Sequence, residues 1–430
     1  MQKLLSVLAI ILLGASLCFA DGVAHDYASD VRLDMNSDTV KQVVTVRTFV
    51  DGDTTHFNVP QSISANGVLK ARYIAINTPE STGKIEEYGK KASNFTRERL
   101  SQATSIIIES DDGQWNLDST GGRHLVWVWY RTSESEPYRN LNIEILQNGL
   151  AIASSTANNR YGKVATAALN AAKEQKLNVF SGEKDPDFYY GQAVELTLKE
   201  LRCNVEQYNG VKVAFEGVIT LNDGSSVYLE EFDPETGLYY GISVFYGYGL
   251  NGKGLDILSV GNRSRIVGTV QYYEVGGVYQ VSGLTYKQMK PKDPGNIQKI
   301  SDGHEAAFVL TSPKDFASSK VTVETSDGIK EYDYAYLALD TSVEMHNLQV
   351  RGIYTTDDPT SSSYGAMTMT CSADGYDITV RTAVLADGNR NLITKDAYLG
   401  KTINVRGIVD YHSSGYQVKV LSANDITIIE

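Results

Sequence analysis

The chain opens, after a polar stretch, on alternation. Val44, Val46 and Thr48 alternate with polar neighbours, Asp51-Gly52 offers a turn, and Phe57 and Val59 alternate on the return. This is the pattern of a β-hairpin. Residues 71–76 are dense in apolar side chains and read as a further strand. The period then changes. Tyr88, Ala92, Phe95 and Leu100 recur at helical spacing, and residues 105–109 and 125–130 return to strand character. A helix is predicted over 140–148, with Gly149 as its stop, and another over the Ala-rich stretch 166–176. Five short strands with a few helices predict a small closed barrel with helical buttresses.

A charged, Pro-containing break at 183–187 follows, within a linker expected over 183–191. Beyond it the pattern is strand after strand, and it repeats. Gly-Asn-Arg-Ser-Arg-Ile-Val-Gly at 261–268 precedes Val270, Tyr272, Tyr279, Gln280 and Val281. Gly-Lys-Thr-Ile-Asn-Val-Arg-Gly at 400–407 precedes Val409, Tyr411, Tyr416, Gln417 and Val418. Upstream, residues 215–219 echo 350–354. Two copies of one β-domain account for this. The run of strand, Gly bend, strand and hairpin is that of an OB-type barrel, where Gly lets a strand coil sharply. The expected organisation is a signal peptide at 1–20, a poorly ordered lead-in at 21–42, a barrel domain at 43–182, the linker, and OB-like domains at 192–300 and 301–430. The fold class is mainly β with some α.

Composition changes this picture in three places. Residues 4–13 are almost wholly apolar after Lys3, and Cys18-Phe19-Ala20 offers a cut site before Asp21. The run is shorter than the roughly 20 apolar residues of a membrane span, so export to a secreted, periplasmic or extracellular location is expected, without a transmembrane anchor. Cys18 raises a lipoprotein alternative, against which the bulky Leu17 speaks. After the leader only Cys203 and Cys371 remain, far apart, which is neither a disulfide framework nor a zinc signature; buried thiols and a single bridge both stay open. The net charge of -13 argues against attraction of the whole chain to nucleic acid. Residues 45–182, however, hold 15 Lys and Arg against 14 Asp and Glu. The acidity lies elsewhere.

That near-neutral segment carries the chemistry. Asp53, at a strand end, is a hard oxygen ligand for Ca²⁺ or Mg²⁺, with Asp51 behind it, although Asp-Gly-Asp is also an ordinary turn. In Asn77-Thr78-Pro79-Glu80, Asn77 offers an amide oxygen and Thr78 a backbone carbonyl, and the Pro turn presents Glu80 to orient or deprotonate water. The plain alternative is a helix cap. Arg72, mid-strand among apolar neighbours, needs a partner, and a phosphate or a carboxylate would serve. Arg123 follows Gly121-Gly122. Two guanidinium groups on one phosphoryl group donate paired hydrogen bonds and stabilise charge that grows in the transition state. Trp127 and Trp129 are expected in packing, and His56 and His124 are given no role.

The order and spacing of these pieces resemble the staphylococcal nuclease (thermonuclease) family. The likeness covers roughly residues 43–181, about a third of the chain. It runs through Val-Asp-Gly-Asp-Thr at 50–54, Arg72, Thr78-Pro79-Glu80, Glu87-Tyr88-Gly89, Gly122-Arg123, Gln147-Asn148-Gly149-Leu150-Ala151 and Lys176-Leu177-Asn178. It implies an OB barrel with helices and Ca²⁺-dependent hydrolysis of DNA and RNA to 3′-phosphate and 5′-hydroxyl ends. By position, Asp53, Asn77 and the Thr78 carbonyl would hold the metal, Glu80 would be the general base, and Arg72 and Arg123 would clamp the phosphate. The sequence departs from the family where Asn77 replaces a carboxylate, where Gly121 replaces an aromatic residue, and where Ser154, Ser155 and Thr156 stand in place of tyrosines.

The expected function is therefore a secreted, metal-dependent nuclease. The alternatives are a weak or inactive nucleic-acid-binding protein built from OB modules, supported by Asn77, and a surface adhesion or scaffold protein, supported by the acidic tail. The tail could take single-stranded nucleic acid on Tyr272, Tyr279, Tyr411 and Tyr416, or glycan, or protein. Oligomeric state is not fixed by the sequence.

Overall fold

The computed structural model describes residues 25–429, apart from 83–84, 156–157, 248–249, 251, 275, 357, 360, 362 and 413–414. The leader expected at 1–20, and Thr156, lie outside these. Three closed five-stranded barrels follow one another. The first uses β1 (Lys41–Asp51), β2 (Thr54–Asn58), β3 (Val68–Tyr73), β4 (Ser105–Glu109) and β5 (His124–Arg131). The second uses β6 (Lys212–Asn222), β7 (Ser226–Asp233), β8 (Leu238–Phe245), β9 (Arg263–Tyr273) and β10 (Val278–Ser282). The third uses β11 (Ser342–Tyr354), β12 (Ala366–Ala373), β13 (Tyr376–Val384), β14 (Thr402–His412) and β15 (Gly415–Val420).

In each barrel the first strand pairs antiparallel with the second and fourth, and the fifth closes the ring by lying parallel to the third. This is the OB arrangement, and closure leaves no free sheet edge within the ring. The sequence repeat has a physical cause. Val270 faces Val281 and Tyr272 faces Tyr279 across β9–β10, as Val409 faces Val418 and Tyr411 faces Tyr416 across β14–β15. Gly268 and Gly407 sit where the facing strand folds closest. A Cβ there would come within 2.6 Å of Val281 and 2.5 Å of the Lys419 carbonyl. Each hairpin tyrosine pair packs on itself, with centroids 5.0 and 5.1 Å apart.

Three helices buttress the first barrel: α1 (Gly89–Ser101), α2 (Leu141–Gln147) and α3 (Gly162–Glu174). Asn140 caps α2 by accepting from the Ile143 N–H at 3.1 Å. α3 begins four residues before the stretch expected from the alanines, because Ala165 already belongs to its buried face. Trp127 and Trp129 are fully buried and donate to Asp111 and Glu109, each at 2.8 Å, with the Tyr161 ring edge-on to both. The lead-in, expected to be poorly ordered, is packed from residue 25 onwards. Ala28 and Val31 enter the first core, Asp26 pairs with Arg139 at 2.8 Å, and the Ala28 N–H donates to Gln147 at 3.0 Å. Tyr27 and Leu33 pack beside them, and contacts scattered in this way along a polar stretch show no period.

The second and third barrels are interlocked. The hairpin Lys320–Thr325 and Gly328–Asp333 and the helical turn Tyr334–Leu337 follow residue 301, yet Val323 and Leu337 fill the second core. Between the barrels, buried Arg202 donates to the Gly241 and Leu339 carbonyls and pairs with Asp340 at 2.6 Å. Glu230 accepts from the Ala307 and Ser342 N–H groups at 2.8 and 2.7 Å. Cys203 and Cys371 are free and buried, one in each of these two cores.

Candidate active site

The site is assembled at the turn between β1 and β2. Gly52 lets this turn press onto α1 and the segment after β3. A Cβ there would stand 2.9 Å from both Ala92 and Thr78, and the Gly52 carbonyl accepts from Thr96 at 2.6 Å. The turn thereby buries two acids, Asp51 and Asp53, which are 6% and 1% exposed.

Asp53 uses both oxygens. Oδ1 receives the Arg72 guanidinium and the Thr54 hydroxyl, the latter at 3.0 Å, and Oδ2 accepts from the Thr78 N–H at 2.8 Å. Arg72 stands near the end of β3, directly opposite Thr54 in the ladder. Its other terminal nitrogen donates to Asn77 Oδ1. Of the two partners the sequence leaves open for Arg72, phosphate or carboxylate, the structure supplies the carboxylate of Asp53, and the fork joins two of the expected metal ligands. Asn77 ends the short strand Ala75–Asn77, which pairs with Ile152–Ser154. That pairing leaves Ser154 exposed beside the site.

Asp51 Oδ1 accepts from Ser81 twice, from the N–H at 3.0 Å and from the hydroxyl at 2.6 Å, and its carboxyl shares a hydrogen bond with Glu80. Burial, and then Glu80, push the Asp51 carboxyl up to about 8. Burial also raises Asp53, against the pull of Arg72 and the Thr78 N–H. The Asp51 carboxyl, facing Glu80, therefore holds its proton. The native state keeps this proton from the ordinary carboxylate range up to about pH 8, whereas the unfolded chain has lost it. The stability it confers is complete below the ordinary range and is lost as pH rises towards 8. Asp51→Asn keeps the acceptor for Ser81 and replaces the carboxyl proton by an amide N–H. In chelator it should raise stability near pH 8 by about 1–3 kcal/mol and flatten the dependence between pH 5 and 8. Urea melts at the two pH values check this, and parallel losses in both proteins would refute it.

The structure brings Asp51, Asp53, Arg72, Asn77, Thr78 and Glu80 together. Arg123 is differently placed. It precedes β5, whose Leu125 lies beside Arg72 in the parallel ladder, and its Nε donates to Asp118 at 2.7 Å. Burial opposes ionisation of Asp118, but hydrogen bonds from Thr120 and Arg123 hold it near 2. The sequence reading missed Asp118 and Ser81. Asp118 has no local signature, whereas Ser81, next to Glu80, could have been suspected as a donor to a nearby acid.

The residues fit a divalent cation in their chemistry. Every donor is a hard oxygen, and of the three acids clustered here (Asp51, Asp53 and Glu80) only Asp53 is paired with a guanidinium, that of Arg72. The buried Thr78 hydroxyl oxygen has no hydrogen-bond partner among the described residues. No group of three His, Cys, Asp or Glu side chains among the described residues has metal-holding spacing by itself.

An OB barrel bearing buried acids and an arginine at the end of its third strand defines the class. Residues 70–182 match the staphylococcal nuclease homologue family. The chain is also 28% identical over 182 residues to Thermonuclease of Staphylococcus intermedius, across 41% of this chain and 94% of that protein. This chain contains a domain of the staphylococcal nuclease family, followed by further β-barrels. No helix among the described residues is long and apolar enough to cross a membrane.

Proposed function

We propose that the chain is an exported, metal-dependent nuclease that hydrolyses phosphodiester bonds of DNA, RNA or both, leaving 3′-phosphate ends. The observation that carries this is the cluster in which Arg72 bridges Asp53 and Asn77 while Asp51 and Glu80 meet beside them, within a domain of this family. Asp53, Asn77 Oδ1 and the Thr78 carbonyl would hold the ion, with Ca²⁺ preferred. When bound, it supplies charge neutralisation and polarises the phosphoryl group. The rest falls to the chain. Glu80 orients the attacking water and takes its proton, beside the buried Asp51 carboxyl. Arg72, placed by the ladder, would turn its fork from Asp53 and Asn77 to the phosphate as the ion takes those oxygens. Arg123 exchanges Asp118 for the phosphate and faces the departing 5′ oxygen.

Cleavage of DNA and RNA by the purified chain in Ca²⁺, in Mg²⁺ and in chelator tests the reading. Salt-sensitive binding without cleavage in any metal would overturn it in favour of a binding protein. Asn77 sets a further expectation. An amide supplies an oxygen but no charge, and calcium affinity follows ligand charge. Asn77→Asp should lower the Ca²⁺ concentration for half-maximal activity by about an order of magnitude. Calorimetric titration would show the same shift, and equal affinities would remove Asn77 from the ligand set.

A further inference from the structure

The second barrel touches the candidate active site. Near the end of β9, the Gln271 side-chain N–H donates to the Ser81 carbonyl at 2.8 Å, 190 residues away in sequence. Its other end is fixed, because Gln271 Oε1 accepts from the Ser282 hydroxyl on the facing strand. Ser81 is the residue whose N–H and hydroxyl hold Asp51, and it directly follows Glu80. A continuous chain of hydrogen bonds thus runs from Ser282 through Gln271 and Ser81 to the shared carboxyls. Three residues beyond Gln271, Glu274 pairs with Arg97 of α1, which pins the same hairpin to the nuclease domain. The linker holds the far end of the segment. Asp185 accepts from the Tyr88 N–H at 2.6 Å, and the Tyr88 hydroxyl donates to the Glu183 carbonyl at 3.1 Å.

We infer that Gln271 is a positioning residue for the nuclease site, so that the second barrel is a working part of the enzyme's active-site frame. This rests on the nuclease reading above for its catalytic consequence, but not for its structural one. The physical argument is placement. A general base must be held to a fraction of an ångström to be effective, and a misplacement of about 1 Å can cost roughly a hundredfold in rate. The backbone that bears Glu80 carries Ser81 at its next position, and Gln271 is the group outside the first barrel that holds Ser81. The contact is polar, half-buried and braced by Ser282, so it fixes a position and adds little burial.

The test uses the full chain. Gln271→Ala should lower kcat about tenfold or more with KM for DNA changed less than about threefold, while the melting temperature stays near that of the parent. Ser282→Ala, which frees the outer end of Gln271, should give a smaller loss in the same direction. Amide hydrogen exchange of the peptide spanning 78–82 should be faster in Gln271→Ala and unchanged in a control peptide from β12. Parent-like kcat, or parent-like exchange at 78–82, would overturn the inference. A parent that cleaves nothing would defeat the nuclease reading alone, and the exchange measurement would still decide the positioning role.

Discussion

Glu80→Gln should lower turnover roughly 10²- to 10⁴-fold, the range of a lost general base, while leaving the chain at least as stable as the parent. The two effects have one origin. Glu80 meets the buried Asp51 carboxyl, and both acids cannot ionise there at little cost. Glutamine has nearly the same shape, carries no charge and can donate its N–H to Asp51. The variant therefore relieves the strain that makes the pair useful. Activity should fall at every pH tested, and the urea midpoint near pH 8 should rise. Full activity in Glu80→Gln would assign the base elsewhere.

The second large effect belongs to Arg72. Arg72→Met removes the cation from Asp53, which is 1% exposed and also accepts from the Thr78 N–H and the Thr54 hydroxyl. Removing one partner of a buried pair leaves the other uncompensated and costs about 3–5 kcal/mol. Turnover should fall by a factor of 10³ or more, since the phosphate clamp goes as well. Arg72→Lys keeps the charge but cannot span Asp53 and Asn77 together, so it should recover most of the stability and little of the activity. Asp53→Asn in the Arg72→Met background should restore folding without restoring cleavage. That separates the structural share of Arg72 from its catalytic share. If Arg72→Met unfolds no more easily than the parent, the ion pair is not what holds the turn.

Local periodicity made much of the fold legible. The β1–β2 hairpin, the helical spacing of Ala92 and Leu100, and the paired Val and Tyr positions of the two later barrels all rest on contacts a few residues apart or on a repeat. The glycines at 268 and 407 were legible because a closely facing strand excludes a Cβ whatever the surroundings. The candidate site was legible as a set of residue types in order, but its internal bonding was not. Arg72 could have met phosphate or carboxylate, and only the ladder that sets it opposite Thr54 chooses Asp53. Asp51 and Glu80 lie 29 positions apart, and nothing in either neighbourhood announces that they meet. The lead-in escaped for a related reason. Ala28 and Val31 acquire meaning only once α2 and Arg139 are in place to receive them.

The hairpin that leaves the second sequence copy to seat Val323 in the core of the earlier one bears on how such a tail can be taken apart. Two copies that arise by duplication begin as separable pieces, and any cut between them is tolerated. Here a cut after residue 301 would strip the earlier copy of Val323 and Leu337 and leave Arg202 without Asp340. The two later barrels have grown into a single heritable part. A graft or a shuffled gene that keeps this protein's tail must carry both, or it carries neither in working order.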